Sequence, residues 1–179
     1  MNKYVLKNFK MDESDVYLQH QQITACFSGS EHVRYRKDGN TVTVYSTNHP
    51  TGNVTCKMST VPTYVAGTVG EFKVRLNMEK RKFVKGGDGP REAVRDLPSI
   101  LKKLNEIAGR SGFVVKDFQE VSEPYILKGT QSGNKIAFNT VDFVGVLEVT
   151  DQESFKNSLD NGIGSGKAFG LGLLIFTVR

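Results

Sequence analysis

The chain has 179 residues, enough for one sizeable domain or two small ones. Its 24 Lys and Arg against 19 Asp and Glu give a net charge of +5. No apolar run reaches the length of a membrane span, which argues against a membrane protein. Cys26 and Cys56 lie far apart and near no histidine pair, which argues against a zinc site. We therefore expect a soluble, reduced, cytoplasmic protein.

The positive charge is concentrated in one segment. Between Lys73 and Arg110 there are eleven Lys or Arg and five Asp or Glu, a net charge of +6, so the rest of the chain is about neutral. A surface that faces a polyanion has such a concentration. The alternative is a charged helix whose side chains are simply solvated.

The predicted elements of the first half begin with a strand over 3–10, where apolar and polar residues alternate. Asp12 is expected to cap a helix that runs to about Phe27. Two strands, over 32–37 and 41–46, flank the hairpin signal Asp38-Gly39-Asn40. The Val- and Thr-rich stretch over 54–69 predicts one or two more strands.

A second unit is predicted to begin near Gly70. Its expected elements are, in order, a long alternating strand over 71–83, a flexible loop over 85–90, an amphipathic helix over 97–108, strands over 113–125 and 135–150, a helix over 151–161 and a final buried strand over 171–178. Each half thus follows an order close to βαββ. This predicts an α+β protein of two tandem ferredoxin-like (RRM-like) domains with antiparallel sheets, residues 1–69 and 70–179. Many RNA-recognition proteins have this order, although a fold alone does not fix a function.

A glycine-rich segment near the end of the chain predicts an anion-binding loop. Five of the eleven residues from Gly162 to Gly172 are glycine, and Lys167 stands among them. Such a loop offers peptide N–H groups and a positive charge to a phosphate backbone. It is not a nucleotide-binding P-loop, because Asn161 and Ala168 occupy positions where that motif needs Gly and Ser or Thr. The alternative is a turn that only closes a sheet.

One pair of side chains on the first predicted helix can carry acid–base chemistry. Tyr17 and His20 are three residues apart and therefore neighbours on a helix surface. RNA cleavage without a metal requires that a ribose 2′-OH lose a proton, that the leaving 5′-oxygen gain one, and that the phosphorane charge be stabilised. His20 would act as acid or base, Tyr17 would position a group, and Lys167 would stabilise charge. Alternatively, His20 lies on the apolar stripe between Val16 and Ile23 and packs in the core.

Together these segments resemble the CasE family, the CRISPR RNA-processing endoribonucleases of type I-E (Cascade) systems, in a short variant. The terminal loop with its lysine is the most specific part of the likeness. The four segments that carry the resemblance, in chain order, are Tyr17–Gln21, Gly70–Asn77, Lys135–Leu147 and Gly162–Leu174.

The resemblance implies cleavage of precursor CRISPR RNA at the base of a repeat stem-loop, giving a 2′,3′-cyclic phosphate and a 5′-OH. It implies no metal and no cofactor. It assigns His20 as the general acid–base residue, with Tyr17 and Lys167 beside it. The product would stay bound in a surveillance complex with other Cascade subunits. The alternative is a catalytically silent subunit that only holds the crRNA handle.

Basic side chains are expected to bind the RNA phosphates, since an A-form stem is recognised by its shape and backbone. No membrane and no nucleotide cofactor is expected among the partners. The expected RNA-binding residues are Arg75, Lys80, Arg81, Lys82, Lys85, Arg91 and Arg95, together with Gly164, Ser165 and Gly166 of the glycine-rich segment.

Overall fold

The computed structural model describes residues 1–7, 9–27, 32–52, 54–84 and 87–179. The elements of the first sheet are β1 (Asn2–Lys7), α1 (Val16–Cys26), β2 (Arg34–Asp38), β3 (Thr41–Ser46) and β4 (Cys56–Thr60). The sheet is antiparallel, with the strand order β2-β3-β1-β4. Helix α1 connects β1 to β2, and the described residues between β3 and β4 form no second helix.

The elements of the second half are β5 (Val69–Asn77), β6 (Glu79–Val84), β7 (Gly87–Ala93), α2 (Leu97–Arg110), β8 (Phe113–Val121), β9 (Tyr125–Gln131), β10 (Asn134–Val149), α3 (Gln152–Asn161) and β11 (Ile175–Val178). The second sheet has the strand order β11-β5-β10-β8, which is the order of the first sheet taken from its opposite edge, and a further strand, β9, pairs with the N-terminal part of β10. Two helices, α2 and α3, connect strands of this sheet, as the ferredoxin-like order requires.

Both sheets therefore confirm the predicted α+β class with ferredoxin-like antiparallel sheets. The predicted division into units 1–69 and 70–179 falls at the start of β5, and it stays a prediction. Within the ranges that the structure describes, no helix combines the length and the apolarity needed to cross a bilayer.

The first helix begins later than predicted. Asp15, not Asp12, is its N-cap, because the Asp15 carboxylate accepts hydrogen bonds from the backbone N–H groups of Tyr17 and Leu18. Asp12 instead closes the preceding turn and accepts from the N–H groups of Ser14 and Asp15. The shift places Tyr17 and His20 in the first two turns of α1.

The long strand predicted over 71–83 is wrong, because the chain leaves the sheet at Met78. The Met78 side chain is fully buried, its N–H donates to Asn139, and its carbonyl accepts from Val94. The residues that follow form a separate two-stranded hairpin, β6-β7, where a flexible loop over 85–90 was expected. Residues 85 and 86 lie outside the described ranges. The alternation of side chains continues across Met78, so periodicity alone shows no break.

The other helices agree with their sequence signals. Asp96 and Asp151 cap α2 and α3 by accepting hydrogen bonds from Ser99 and Ser154. The final strand is shorter than predicted and begins at Ile175, although the residues before it are buried.

Three apolar clusters make up the core. One fills the second sheet and its helices around Phe72, Leu104 and Phe155, and another lies between the first sheet and α1. The third cluster joins the two units, since Val16 of α1 packs with Phe138 and Leu171, and Phe169 lies partly buried against them. This third cluster sets the position of α1 against the glycine-rich segment.

A buried ion network also crosses between the sheets. Arg36 of β2 is only 2% exposed, and its Nη2 lies 2.8 Å from Oδ1 of Asp142 in β10. Arg75 of β5 binds the same carboxylate at 3.0 Å, and the Tyr125 hydroxyl donates to it at 2.7 Å. Asp38 accepts from Arg36 at 2.9 Å. Two arginines thus share carboxylates drawn from both units.

Asp142 remains ionised in this network. Burial alone would raise the pKa of Asp142, but Arg36, Arg75 and the Tyr125 hydroxyl outweigh that effect and hold the pKa below its ordinary value. The stability that this carboxylate provides is therefore fully present above about pH 4, the value of an unfolded Asp. It is lost as the pH falls through the lower pKa of the folded state.

The variant Asp142→Asn should lower the free energy of unfolding by about 3 kcal/mol at pH 7, because the buried Arg36 then keeps only Asp38 as a partner. Urea unfolding followed by circular dichroism measures this change. The variant should also lose less stability than the wild type between pH 5 and pH 3. Asp117→Asn, at an exposed position of β8, is the control and should change stability by less than about 0.5 kcal/mol. Equal effects of the two variants would contradict the role given to Asp142.

Candidate functional site

His20 lies on the face of α1 that meets the glycine-rich segment. Its ring is partly exposed, and its centroid lies 5.8 Å from that of Phe169. Burial lowers the pKa of His20 below its ordinary value, and a hydrogen bond with the backbone of Ala168 offsets part of that effect. His20 is therefore not sealed in the hydrophobic core, contrary to the alternative of a packed core histidine.

Tyr17 lies beside His20, as the helical spacing predicts. The two ring centroids are 6.3 Å apart, and the Tyr17 centroid lies 6.5 Å from that of Phe169. The Phe169 ring also contacts Phe138 at 5.2 Å. Phe169 therefore connects the candidate acid–base pair to the third apolar cluster. The sequence alone indicates no role for Phe169, because Tyr17 and His20 lie 152 and 149 residues away in the chain.

Lys167 stands on a short 3₁₀ turn, Lys167–Phe169, between Gly166 and Gly170. Both glycines have positive φ, 77° and 78°. Burial lowers the pKa of Lys167, and repulsion from the charge of Arg34 lowers this pKa further. The turn therefore places Lys167 two residues before Phe169, whose ring contacts His20. The structure thus brings His20 close to the lysine-bearing turn, and the catalytic roles expected for His20, Tyr17 and Lys167 stay a prediction.

Backbone hydrogen bonds fix the glycine-rich segment on both sides. Ile163 donates to Gly172 at 2.8 Å, and Gly172 donates to Arg75 of β5 at 2.7 Å. At Gly172, where φ is +75°, a Cβ atom would lie 2.2 Å from the carbonyl oxygen of Ile163. At Gly170 it would lie 3.0 Å from the Tyr35 ring. The segment closes the sheet and also presents Lys167, so its two interpretations are not exclusive.

The outer part of the segment is open to a ligand. Gly164 and Ser165 are exposed, and Gly166 is partly so. Within the described part of the chain, no backbone carbonyl accepts from the N–H groups of these three residues. Their expected role in binding RNA stays a prediction.

The β6-β7 hairpin displays most of the basic residues that the sequence singled out. Lys80, Arg81, Lys82 and Arg91 are exposed on its two strands. Lys82 lies 3.5 Å from Glu92, an exposed pair that holds the lysine only weakly. Arg95 is exposed just beyond the hairpin, and Lys85 lies outside the described residues.

Arg75 occupies a different environment from the hairpin residues. Its guanidinium is 16% exposed, binds Asp142 at 3.0 Å and donates to the carbonyl of Lys37 at 3.2 Å. The hydrogen bond and the charge of Asp142 outweigh burial and raise the pKa of Arg75. Arg75 therefore belongs to the ion network, and its expected contact with RNA stays a prediction. Sequence could not show this, because Asp142 lies 67 residues away.

A recess of about 240 Å³ separates the base of the hairpin from the glycine-rich segment. Asn77 spans its floor and donates to Ser165 at 3.2 Å and to Glu79 at 3.2 Å. The residues that line the recess are Asn77, Glu79, Lys80, Arg81, Arg91 and Ser165. The hairpin and the loop thus form two walls of one basic cleft.

Comparison with known proteins shows the family. The model of the CRISPR associated protein family matches residues 3–177. The chain belongs to this family. This confirms the family predicted from the sequence. No curated protein matches the chain in sequence.

Solved structures of this family share the fold. CRISPR endoribonuclease Cse3 bound to a 19-nt RNA has a TM-score of 0.80 and 21% identity, with 98% of each chain covered. Thermus thermophilus Cse3 bound to an RNA representing a pre-cleavage complex has a TM-score of 0.79 and 20% identity, again with 98% of each chain covered. Cas6e from Escherichia coli str. K-12 has a TM-score of 0.71 and 23% identity over 99% of each chain. Both sheets of this CRISPR associated protein therefore have counterparts in solved structures.

The variant Gly172→Ala should destabilise the protein more than Gly133→Ala. Both glycines have positive φ, +75° and +79°, which costs an alanine about 1–2 kcal/mol. Only at Gly172 would the added Cβ also overlap a backbone oxygen, whereas nothing lies within 4 Å of a Cβ at Gly133. Urea unfolding of both variants measures the difference. Equal losses of stability would show that the glycine-rich segment yields easily and that its packing is not a constraint.

Proposed function

We propose that this CRISPR associated protein is a metal-independent endoribonuclease that cleaves precursor CRISPR RNA at the base of a repeat stem-loop. The observation that carries the proposal is the contact between helix α1, which carries His20, and the glycine-rich loop, which carries Lys167. The Phe169 ring, two residues after Lys167 on the same short turn, lies 5.8 Å from the His20 ring between centroids. An imidazole and a lysine-bearing loop therefore lie against each other, as the proposed cleavage at a phosphate requires.

The reaction that fits this site is attack by the ribose 2′-oxygen on the adjacent phosphorus. The bond from phosphorus to the 5′-oxygen breaks, which gives a 2′,3′-cyclic phosphate and a 5′-OH. The 2′-OH loses a proton, and the departing 5′-oxygen gains one. Because burial lowers the pKa of His20, its neutral imidazole is the resting form near pH 7 and is suited to accept the 2′-OH proton. The resulting imidazolium can then donate a proton.

Tyr17 and Lys167 complete the proposed chemistry. The Tyr17 phenol lies beside the His20 ring and can hydrogen-bond the nucleophile or a phosphate oxygen. Lys167 stabilises the negative charge that builds up on the phosphorane. The outer residues of the loop, Gly164, Ser165 and Gly166, offer N–H groups to the same backbone.

The β6-β7 hairpin is the proposed platform for the RNA stem. Its exposed lysines and arginines can follow the phosphates of an A-form helix, whose deep groove hides the base edges. In support, Cse3, which shares the fold, has been solved with a 19-nt RNA. Lys80, Arg81, Lys82, Arg91 and Arg95 are assigned to this contact.

After cleavage the protein is proposed to retain its product and to join other Cascade subunits. A chain of a CRISPR RNA-guided surveillance complex shares the fold, with a TM-score of 0.72 and 16% identity. Such an assembly would operate in the cytoplasm, where the CRISPR transcript is made. No nucleotide cofactor enters this scheme.

The variant His20→Ala should cleave the cognate repeat RNA about 10²- to 10⁴-fold more slowly, the range typical of a general acid–base group. Binding of the same RNA should change little, because the hairpin carries most of the phosphate contacts. Single-turnover cleavage in EDTA and filter binding measure the two effects. His49→Ala, whose ring packs against Tyr4, is the matched control and should cleave like the wild type.

Two results would contradict the proposal. Binding without cleavage by the wild type would support a catalytically silent subunit that holds the crRNA handle. Equal cleavage by wild type and His20→Ala would remove His20 from the chemistry.

The double variant Lys80→Ala/Lys82→Ala should weaken RNA binding and reduce its salt dependence. Each lost phosphate contact should lower the slope of log K against log salt by about 0.7–0.9. Titration of repeat RNA at several salt concentrations measures the slope. Lys116→Ala, which removes an exposed lysine paired with Glu148 on the second sheet, is the control. An unchanged slope in the hairpin variant would place the RNA stem elsewhere.

A further inference from the structure

We propose that Arg34 and Lys167 together form a binding site for one phosphate group next to His20. The inference deepens the proposed function, and it rests on that function for the identification of the ligand as the scissile phosphate of the RNA. Arg34 belongs neither to the basic segment of the sequence nor to the hairpin. It is the first residue of β2.

Arg34 is held in place by neutral groups. Its Nε donates to the carbonyl of Asn161 at 2.9 Å, and its Nη1 donates to the carbonyl of Val33 at 3.0 Å. A guanidinium has five N–H groups, so three remain to donate to a ligand. Asn161 is the last residue of α3 and directly precedes Gly162. The guanidinium therefore lies at the point where the glycine-rich segment begins.

The Lys167 side chain also extends to the start of the glycine-rich segment. A Cβ atom on Gly162 would lie 3.4 Å from Cδ of Lys167, so the lysine side chain runs across the segment to its first residue. Asn161 and Gly162 are adjacent, and each is in contact with one of the two cations. The fold thus brings together two positive charges from residues that are 133 positions apart.

Neither cation has an acidic partner in the described part of the chain. Among the residues that the structure describes, no carboxylate forms an ion pair with Arg34 or Lys167. Arg36, two residues further along β2, is by contrast paired with two carboxylates. Burial lowers the pKa of both Arg34 and Lys167, and Arg34 lowers that of Lys167 further by repulsion. A bound anion would remove this repulsion.

The position of this cation pair fits a reacting phosphate. Lys167 lies on the same short turn as Phe169, and the Phe169 ring contacts both His20 and Tyr17. A phosphate bound by both cations would therefore lie next to the acid–base pair. A guanidinium binds two phosphate oxygens at once, and an ammonium adds a point charge.

Arg34 also has a purely structural interpretation. A cation near the last carbonyls of a helix stabilises it, and Asn161 ends α3. This cap accounts for Nε of Arg34, but it does not account for Lys167, which makes no hydrogen bond or ion pair within the described ranges. The two interpretations predict different results for anion binding.

The direct test uses inorganic phosphate and needs no RNA. Phosphate is titrated into the wild type, Arg34→Gln and Lys167→Gln, and the Cε1–H signal of His20 is followed by NMR. Each variant should bind phosphate about tenfold more weakly than the wild type. Arg179→Gln is the matched control, because that exposed arginine pairs with Glu71 at the far end of β5.

The second arm measures single-turnover cleavage of repeat RNA. Removing one charge-stabilising donor typically slows a reaction about 10²- to 10³-fold, and each variant should lose activity in that range. The double variant should lose less than the product of the two single losses, because both side chains hold the same group. Arg34→Lys, which keeps the charge, should recover part of the activity.

Each outcome decides one question. Unchanged phosphate binding and cleavage in Arg34→Gln would overturn the inference and leave the nuclease proposal standing. A lower melting temperature with unchanged phosphate binding would assign Arg34 to the helix cap alone, which also overturns the inference. Phosphate binding that requires both cations, in a wild type that cleaves no RNA, would support the anion site and reject the nuclease. Should Arg34→Gln fail to fold, Arg34→Lys and Lys167→Gln decide the matter.

Discussion

The ion pair between Arg36 and Asp142 is the constraint on which the rest of the site depends. An arginine so deeply buried is tolerated only with a carboxylate beside it, and the partner comes from the other sheet. The pair therefore fixes β2 against β5 and β10. The strand β2 carries Arg34 and Tyr35, and Tyr35 packs against Gly170. Through β2, the ion pair determines how the first unit meets the glycine-rich segment.

Apolar packing around Phe169 also holds the first helix against the second sheet. Phe169 contacts Tyr17, His20 and Phe138, so one ring touches the first helix, the second sheet and the candidate acid–base pair. Asp15 adds a polar link, because it caps α1 and also accepts from the N–H of Thr130 in β9. The imidazole is thus held by the same contacts that join the two units.

Sequence predicted what depends on neighbours in the chain. The start of α3 at Asp151, the hairpin at Asp38, the glycine-rich segment and the Tyr17–His20 spacing are all local signals. Features that depend on contacts between residues distant in the chain were not predicted. The chain leaves the second sheet at Met78 without a break in its alternating pattern, and Arg75 is neutralised by the distant Asp142. Charge counting also passed over Arg34, which lies in a nearly neutral part of the chain and gains its meaning from Lys167.

The β6-β7 hairpin pairs only with itself among the described strands, as a two-stranded sheet outside both larger ones. Its strands form no backbone pairing with the two larger sheets, which position His20 and Lys167. Side chains along this hairpin can accordingly be exchanged without changing the packing around His20 and Lys167. Under the proposed function, a change of RNA target requires substitutions in the hairpin alone, and the residues proposed for the chemistry stay the same.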